Sequence, residues 1–511
     1  MRRWLALAAA VGTVLPVVGF TGTAQAAGSS LKVAEIGRDG RAVNGSVTVV
    51  DSTGMPRYLQ SGRATALPAG TYTVLADVQS AGTDTLIGKK VRVSGAGRLT
   101  LDARAGRSVR VGLDVSGQPG LDVRVCAPGG WGNGVEAWNR AGSLFVVPNA
   151  DRGFTLGYLA SWGGDLLGSG SSYVVSGLRG AVPAGTLGSF KRSGLAKWRV
   201  DVRGGENTTA SSNVMIQPTP RQDSCQTDLI AGLGGGDGGY VTHAYVSPGT
   251  WTVRNDFSRA FTFAKPRTVA ARGSYWTLFN RAVRGPASTE VPGTYWGHRL
   301  LFDADSMLAD PWGTGAGGDT LTIGTYTLRQ GGKVLASKRL TEWATGPSGL
   351  DVVLKSKGWY SLTADASAYA PGSRLPTGLL STRATLSYHF YADPAKRQAA
   401  KVFATKFFPA GLDLGNQAKA GSTTALTVQA VRSTTDPMDI AVPKATVKSI
   451  RLWVSYDGGR TWHAVSLRAV GGQWTAQVRN PASGAVTLRT TVVSASGDSA
   501  TETVYRAWSV R

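Results

Sequence analysis

The sequence predicts an all-β protein of several tandem sandwich domains. Three observations carry this. Short runs rich in Val, Thr, Tyr and Trp recur at roughly ten-residue spacing, separated by Gly, Asp, Asn and Ser. Gly accounts for 68 of 511 residues, while the Ala, Glu, Leu and Lys patterns of helices are scarce. Hydrophobic residues make up 42%, enough for packed cores, which argues against wholesale disorder. A chain of 511 residues also exceeds one ordinary domain.

Residues 1–26 read as a secretory leader: Arg2 and Arg3, an apolar stretch over 4–18, then Ala24-Gln25-Ala26 before the cleavage point. No later run is long and apolar enough to cross a membrane. Segment 27–116 carries Leu31-Lys32-Val33-Ala34, Ser46-Val47-Thr48-Val49-Val50 and Val91-Arg92-Val93, and reads as a first sandwich. Segment 117–262 holds both cysteines and two Gly-rich stretches, of which 232–239 reads as a long flexible loop. Segment 263–395 has strand-like runs at 275–279, 320–329, 358–364 and 384–391. Segment 396–511 closes with Ile450-Arg451-Leu452-Trp453-Val454, Trp474-Thr475-Ala476-Gln477-Val478 and 486–493. Residues 394–406 are the best local helix candidate.

One phrase recurs. Pro68-Ala69-Gly70-Thr71-Tyr72-Thr73-Val74 is echoed by Pro248-Gly249-Thr250-Trp251-Thr252-Val253, and more loosely at Gly324 and Gly358. Gly permits a turn, and the aromatic and the aliphatic two residues on then face one side of a strand.

The formal charge is +23, two units of which belong to the leader. It favours anionic partners, although Arg outnumbers Lys and the charges are scattered. The densest cluster is Lys191-Arg192 with Lys197 and Arg199. No nucleic-acid motif accompanies the charge. Cys126 and Cys225 are the only cysteines, and in an exported chain they are expected to pair. The alternatives are two free thiols or a bridge to another chain.

Several phrases resemble the accessory modules that follow the protease domain in large secreted actinobacterial subtilisin-like peptidases. At the start these are Ile36-Gly37-Arg38-Asp39-Gly40, Pro68-Ala69-Gly70-Thr71-Tyr72 and Leu101-Asp102-Ala103-Arg104. At the end they are Leu452-Trp453-Val454-Ser455-Tyr456-Asp457-Gly458-Gly459, Trp474 and Arg506-Ala507-Trp508. The resemblance implies immunoglobulin-like or carboxypeptidase-regulatory-like sandwiches with an accessory role. The Asp, His and Ser signatures of the protease itself are missing, so no catalytic residue carries over.

Other chemistry is sparse. Ser455, Asp457, Gly459, Thr461 and Trp462 fit one Asp-box hairpin, with Asp457 accepting turn amides and Trp462 packing beneath. Gly315-Ala316-Gly317-Gly318-Asp319 fits half of a calcium-binding repeat, with Asp303 and Asp305 upstream as weak further ligands; one copy cannot supply a full oxygen shell. His-Glu-x-x-His and Gly-x-Ser-x-Gly are absent. Among 15 Trp residues, Trp131, Trp138 and Trp162 lie in loop-like sequence and are the candidate ligand-contact aromatics. Trp251, Trp453 and Trp474 read as core.

The sequence thus predicts a secreted, monomeric, non-catalytic binding protein without cofactor or resident metal. Its expected partner is an anionic wall polymer or another secreted protein, not nucleic acid. The rival is a divergent extracellular hydrolase with paired carboxylates in a pocket.

Overall fold

Alternation of apolar and polar residues sets each strand, because successive side chains point to opposite faces. Ser30–Ile36 buries every second residue from Leu31, and Arg383–Ala392 does the same from Ala384. The computed structural model describes residues 29–128, 133–163, 171–183, 185–204, 212–219, 225–226, 229–236, 239–256, 261–286, 291–295, 298–302, 307–308, 310–311, 316–317, 323–340, 350–367, 379–432 and 441–511. They form strands, joined by turns and two short 3-10 segments, Ala103–Ala105 and Arg192–Gly194. The fold class is all-β: tandem immunoglobulin-like sandwiches.

Among the described residues, buried side chains gather into five clusters. The first draws on residues between Leu31 and Ala103, the second mainly on 109–195, and the third mainly on 196–279. The fourth spans Val291 to Val402 with Ala500, and the fifth joins Ala282 and Val283 to residues 407–510. The sequence suggests four domains, 27–116, 117–262, 263–395 and 396–511. The stretch that reads as one domain over 117–262 feeds two cores. Hydrophobic alternation is the same on either side of such a boundary, so it does not mark where one core ends.

The sheets do not respect the cores. Gly70–Ser80 and Thr83–Val93 form one long hairpin in a seven-stranded sheet. Val74 and Ile87 face the first core, while Leu75 and Leu86 face the second. Leu144–Val146 then adds to Thr83–Val93 in parallel. A second seven-stranded sheet crosses the next junction through Ser171–Gly180 paired in parallel with Tyr240–Val246. A nine-stranded sheet joins the last two cores where Arg383–Ala392 pairs antiparallel with Ser499–Val510.

Two local expectations are corrected. The Gly-rich stretch contains a strand, Ala231–Gly236, paired with Ser212–Pro218. Residues 394–406 hold no helix: Gln398–Ala399 pairs with Gly293–Thr294, and Ala404–Pro409 opens the fifth core's smaller sheet. Long-range pairing overrode local propensity there.

Candidate functional site

The strand Ser274–Phe279 lies at the edge of its sheet, parallel to Ala196–Val202. Apolar residues occupy both of its faces. Tyr275 packs towards the core beside Trp198, and Trp276 faces outward with 51% of its surface exposed. The ring is nonetheless held. Its indole N–H donates to Asp201 Oδ2 at 3.1 Å, and Arg199 donates to both oxygens of Asp201 at 2.6 and 3.0 Å. Behind it Trp198 is buried and donates to Thr277 Oγ1 at 2.9 Å.

Trp276 forms one wall of a groove of about 350 Å³, also lined by Phe263, Lys265, Arg267, Arg281 and Asp310. Lys265 and Arg267 are exposed on the rim. The Arg281 guanidinium lies 5.8 Å from the Trp276 ring, and Arg267 lies 5.4 Å from that of Tyr275. Burial pushes Arg281 below the usual arginine range, Asp310 opposes this, and the nearby charge of Arg203 adds to it. Lys406 donates to the Pro311 carbonyl at 2.9 Å; burial lowers its pKa, opposed by Asp310 and reinforced by Lys265. Among the described residues Asp310 is the groove's single carboxylate, and its Oδ2 accepts the Arg281 backbone N–H at 3.2 Å. Positive charge therefore exceeds negative around a fixed aromatic face. Such a groove can stack a ring and hold an anionic group beside it.

The residues singled out from sequence fare unequally. Trp138 is 68% exposed on the edge strand Gly134–Arg140. Trp162 is a correction: it ends the strand Thr155–Trp162, is 5% exposed, and belongs to the second core, so it cannot meet a ligand. Trp131, Asp303, Asp305 and Asp319 lie outside the described residues. Trp251 is buried, whereas Trp453 and Trp474 are half-buried. Cys126 and Cys225 form a disulfide with a Cα–Cα distance of 5.7 Å.

The Asp-box hairpin is formed as its residues suggest. Asp457 Oδ1 accepts the backbone N–H groups of Arg460 (3.0 Å) and Thr461 (2.9 Å), and Ser455 Oγ accepts that of Gly459. These bonds hold the Asp457 carboxyl well below the usual range, the Thr461 hydroxyl contributing most. Gly459 sits at φ 92°, where a side chain would be strained. Trp462 packs against Arg489, whose guanidinium is 3.8 Å from the ring. Among the described residues, no three His, Cys, Asp or Glu form a group that could hold a metal ion.

Sequence reasoning missed Trp276 because its run, Tyr275-Trp276-Thr277-Leu278-Phe279, reads as a strand buried on both faces. The available signal was the flanking Lys265, Arg267 and Arg281, which a doubly buried strand would not need.

A tandem β-sandwich protein with an aromatic, basic groove is the class that fold and site define. No protein-family profile matches the chain, and no curated protein does. Among solved structures, the chain is similar to the Bacillus anthracis TIE protein at 10% identity, covering 49% of this chain and 50% of that one, with a TM-score of 0.13. It thus spans half the length of that protein. The FN1–FN3 domains of chicken CNTN1 match at 10% identity over 62% of this chain and 96% of theirs, with a TM-score of 0.14. Extracellular domains 3–5 of Drosophila OTK match at 12% identity over 61% and 95%, again with a TM-score of 0.14. Scores of this size carry no argument about ligands.

Proposed function

We propose that the chain is a non-catalytic binding protein acting outside the cell, at the envelope or in the medium. Its groove at Trp276 takes an anionic polymer that bears rings, such as an acidic wall glycan. The observation that carries this reading is the exposed but immobilised Trp276 ring between Arg281 and the rim cations Lys265 and Arg267. A disulfide and a leader-like start agree with an oxidising compartment. The net charge of +23, less the two units of the leader, brings polyanions close, and the ring selects among them. Kinship with peptidase accessory modules belongs to the same proposal.

The test is co-sedimentation with purified cell wall across a salt series, with polygalacturonate and polyphosphate as soluble competitors. Binding should persist at about 0.5 M salt, where charges are screened within a few ångströms. Polygalacturonate should compete better than polyphosphate, which has no ring to stack. Trp276→Ala should weaken binding at least about tenfold, a loss of about 1.4 kcal/mol. Binding that vanishes by about 0.15 M salt, or that ignores Trp276→Ala, would reject the groove as the site.

A further inference from the structure

The densest basic cluster of the chain, Lys191-Arg192 with Lys197 and Arg199, is not part of the groove lining. Strand register nonetheless places it beside the groove. Trp276 pairs with Arg199, and Arg199 with His243, on the adjacent strands Ser274–Phe279, Ala196–Val202 and Tyr240–Val246. These side chains share the outward face, while Trp198 and Tyr275 turn to the third core. Two residues along, Lys197 pairs with Tyr245, and Tyr245 with Tyr173. Trp276 therefore borders the groove on one side and this sheet face on the other. The 3-10 segment Arg192–Gly194 leads into the strand at Ala196, which puts Lys191 and Arg192 at its Lys197 end.

Lys191, Arg192, Lys197 and Arg199 are all exposed. Among the described residues, no carboxylate pairs with Lys191 or Lys197. Arg199 spends Nε and Nη2 on Asp201, which leaves its Nη1 hydrogens to solvent. Asp201 is itself taken up by Arg199 and the Trp276 indole, and Asp114 accepts the Arg192 backbone N–H. Four cations thus face two carboxylates that are already engaged.

The open face has a defined end. Tyr173 and Tyr245 stack with centroids 5.0 Å apart and pack partly against the second core. From Trp276 to Tyr245 the face crosses two strand spacings and two residues, about 12 Å. That reach is longer than one sugar ring.

We propose that the acidic polymer seated at Trp276 continues across this face, its anionic groups meeting Arg199 and Lys197 and then Lys191 and Arg192. The inference rests on the groove reading above and adds a second contact zone to it, so that affinity depends on chain length. Exposed ion pairs are individually weak, and the zone works through several at once. A ring held on Trp276 keeps the next anionic groups at high effective concentration beside the cations.

The test titrates the full chain with galacturonate trimer and dodecamer by calorimetry, at about 0.1 M salt, where the Debye length is about 10 Å. The trimer fills the groove, and the dodecamer also reaches the face. Lys191→Gln, Arg192→Gln and Lys197→Gln together remove three exposed charges and touch no buried side chain. This triple variant should weaken the dodecamer about tenfold and the trimer by no more than about twofold. A longer chain also offers more binding registers, but that gain is the same in both proteins, so the variant separates contact from statistics. Trp276→Ala should weaken both oligomers. Equal loss of trimer and dodecamer in the triple variant, or loss of neither, would overturn the proposal and leave the groove standing. Trp276→Ala without effect, or no binding of either oligomer, would reject the groove reading and this extension with it.

Discussion

Glu502 is a carboxyl placed where water is absent. It is 1% exposed; Oε2 accepts the Thr405 N–H at 2.9 Å, and Oε1 has no partner among the described residues. Burial pushes its pKa from 4.5 up to about 8, the Thr405 bond opposing. The folded state therefore keeps a proton that the unfolded chain releases near its ordinary value. The resulting stability is full below about pH 4.5 and is lost as pH rises towards 8, at about 1.4 kcal/mol for each step of one in pH. Asp122 behaves alike, raised to about 8 by burial and then by the charge of Glu136. The melting temperature should fall between about pH 5 and 8.5. Glu502→Gln retains an acceptor for Thr405, and should flatten part of that slope and raise the midpoint at the alkaline end. A variant whose melting tracks the parent at every pH would show that Glu502 is not the group responsible. Asn416 shows the opposite case, a buried polar side chain fully met. Its Oδ1 accepts from Ala282 N and Arg203 Nη1, and its Nδ2 donates to the Gly204 and Asn280 carbonyls, tying the third and fifth cores together.

Local signals read well for single elements, and distant ones did not. The Asp-box hairpin was legible from five residues because Ser455, Asp457 and Thr461 bond within their own turn. The strand Gln398–Ala399 was not, because its partner Gly293–Thr294 lies about a hundred residues earlier. The disulfide joins these regimes. Cys126 ends the strand Gly120–Cys126 of the second core, and Cys225 lies across Thr155–Trp162 so closely that a Cβ on Gly157 would come within 2.1 Å of its carbonyl oxygen. Gln226 fixes the same loop by donating to Ser176 Oγ at 2.8 Å. With the cysteines 99 positions apart in sequence, chain-entropy reasoning gives about 4–5 kcal/mol of stabilisation. Replacing both cysteines with Ala should lower the denaturant midpoint accordingly, with the m-value little changed. An unchanged midpoint would mean that the Cys225 loop is held without the bridge.

At the scale of the molecule, adjacent cores share sheets. Leu75 and Val74 are neighbours in one strand yet serve different cores, and Ser387 pairs with Thr501 across the last junction. Backbone hydrogen bonds cross these boundaries, so one core cannot melt without stripping partners from the next. Calorimetry should accordingly resolve fewer transitions than the five cores, and Leu75→Ala should destabilise the first two together. Five separate transitions, with the Leu75 effect confined to one, would refute this coupling.

By itself the sequence determined the all-β class, the Asp-box turn and the positive charge, and it led to the expectation, with alternatives open, that the two cysteines pair. Each rests on composition or on contacts a few residues long. Tertiary structure alone decided that the described residues build five cores, that Trp162 is buried while Trp276 is presented, and that Arg383–Ala392 pairs with Ser499–Val510 to join the last two of them. Those outcomes depend on strand register between residues far apart in the chain, and a shift of one residue would turn every side chain of a strand to the opposite face.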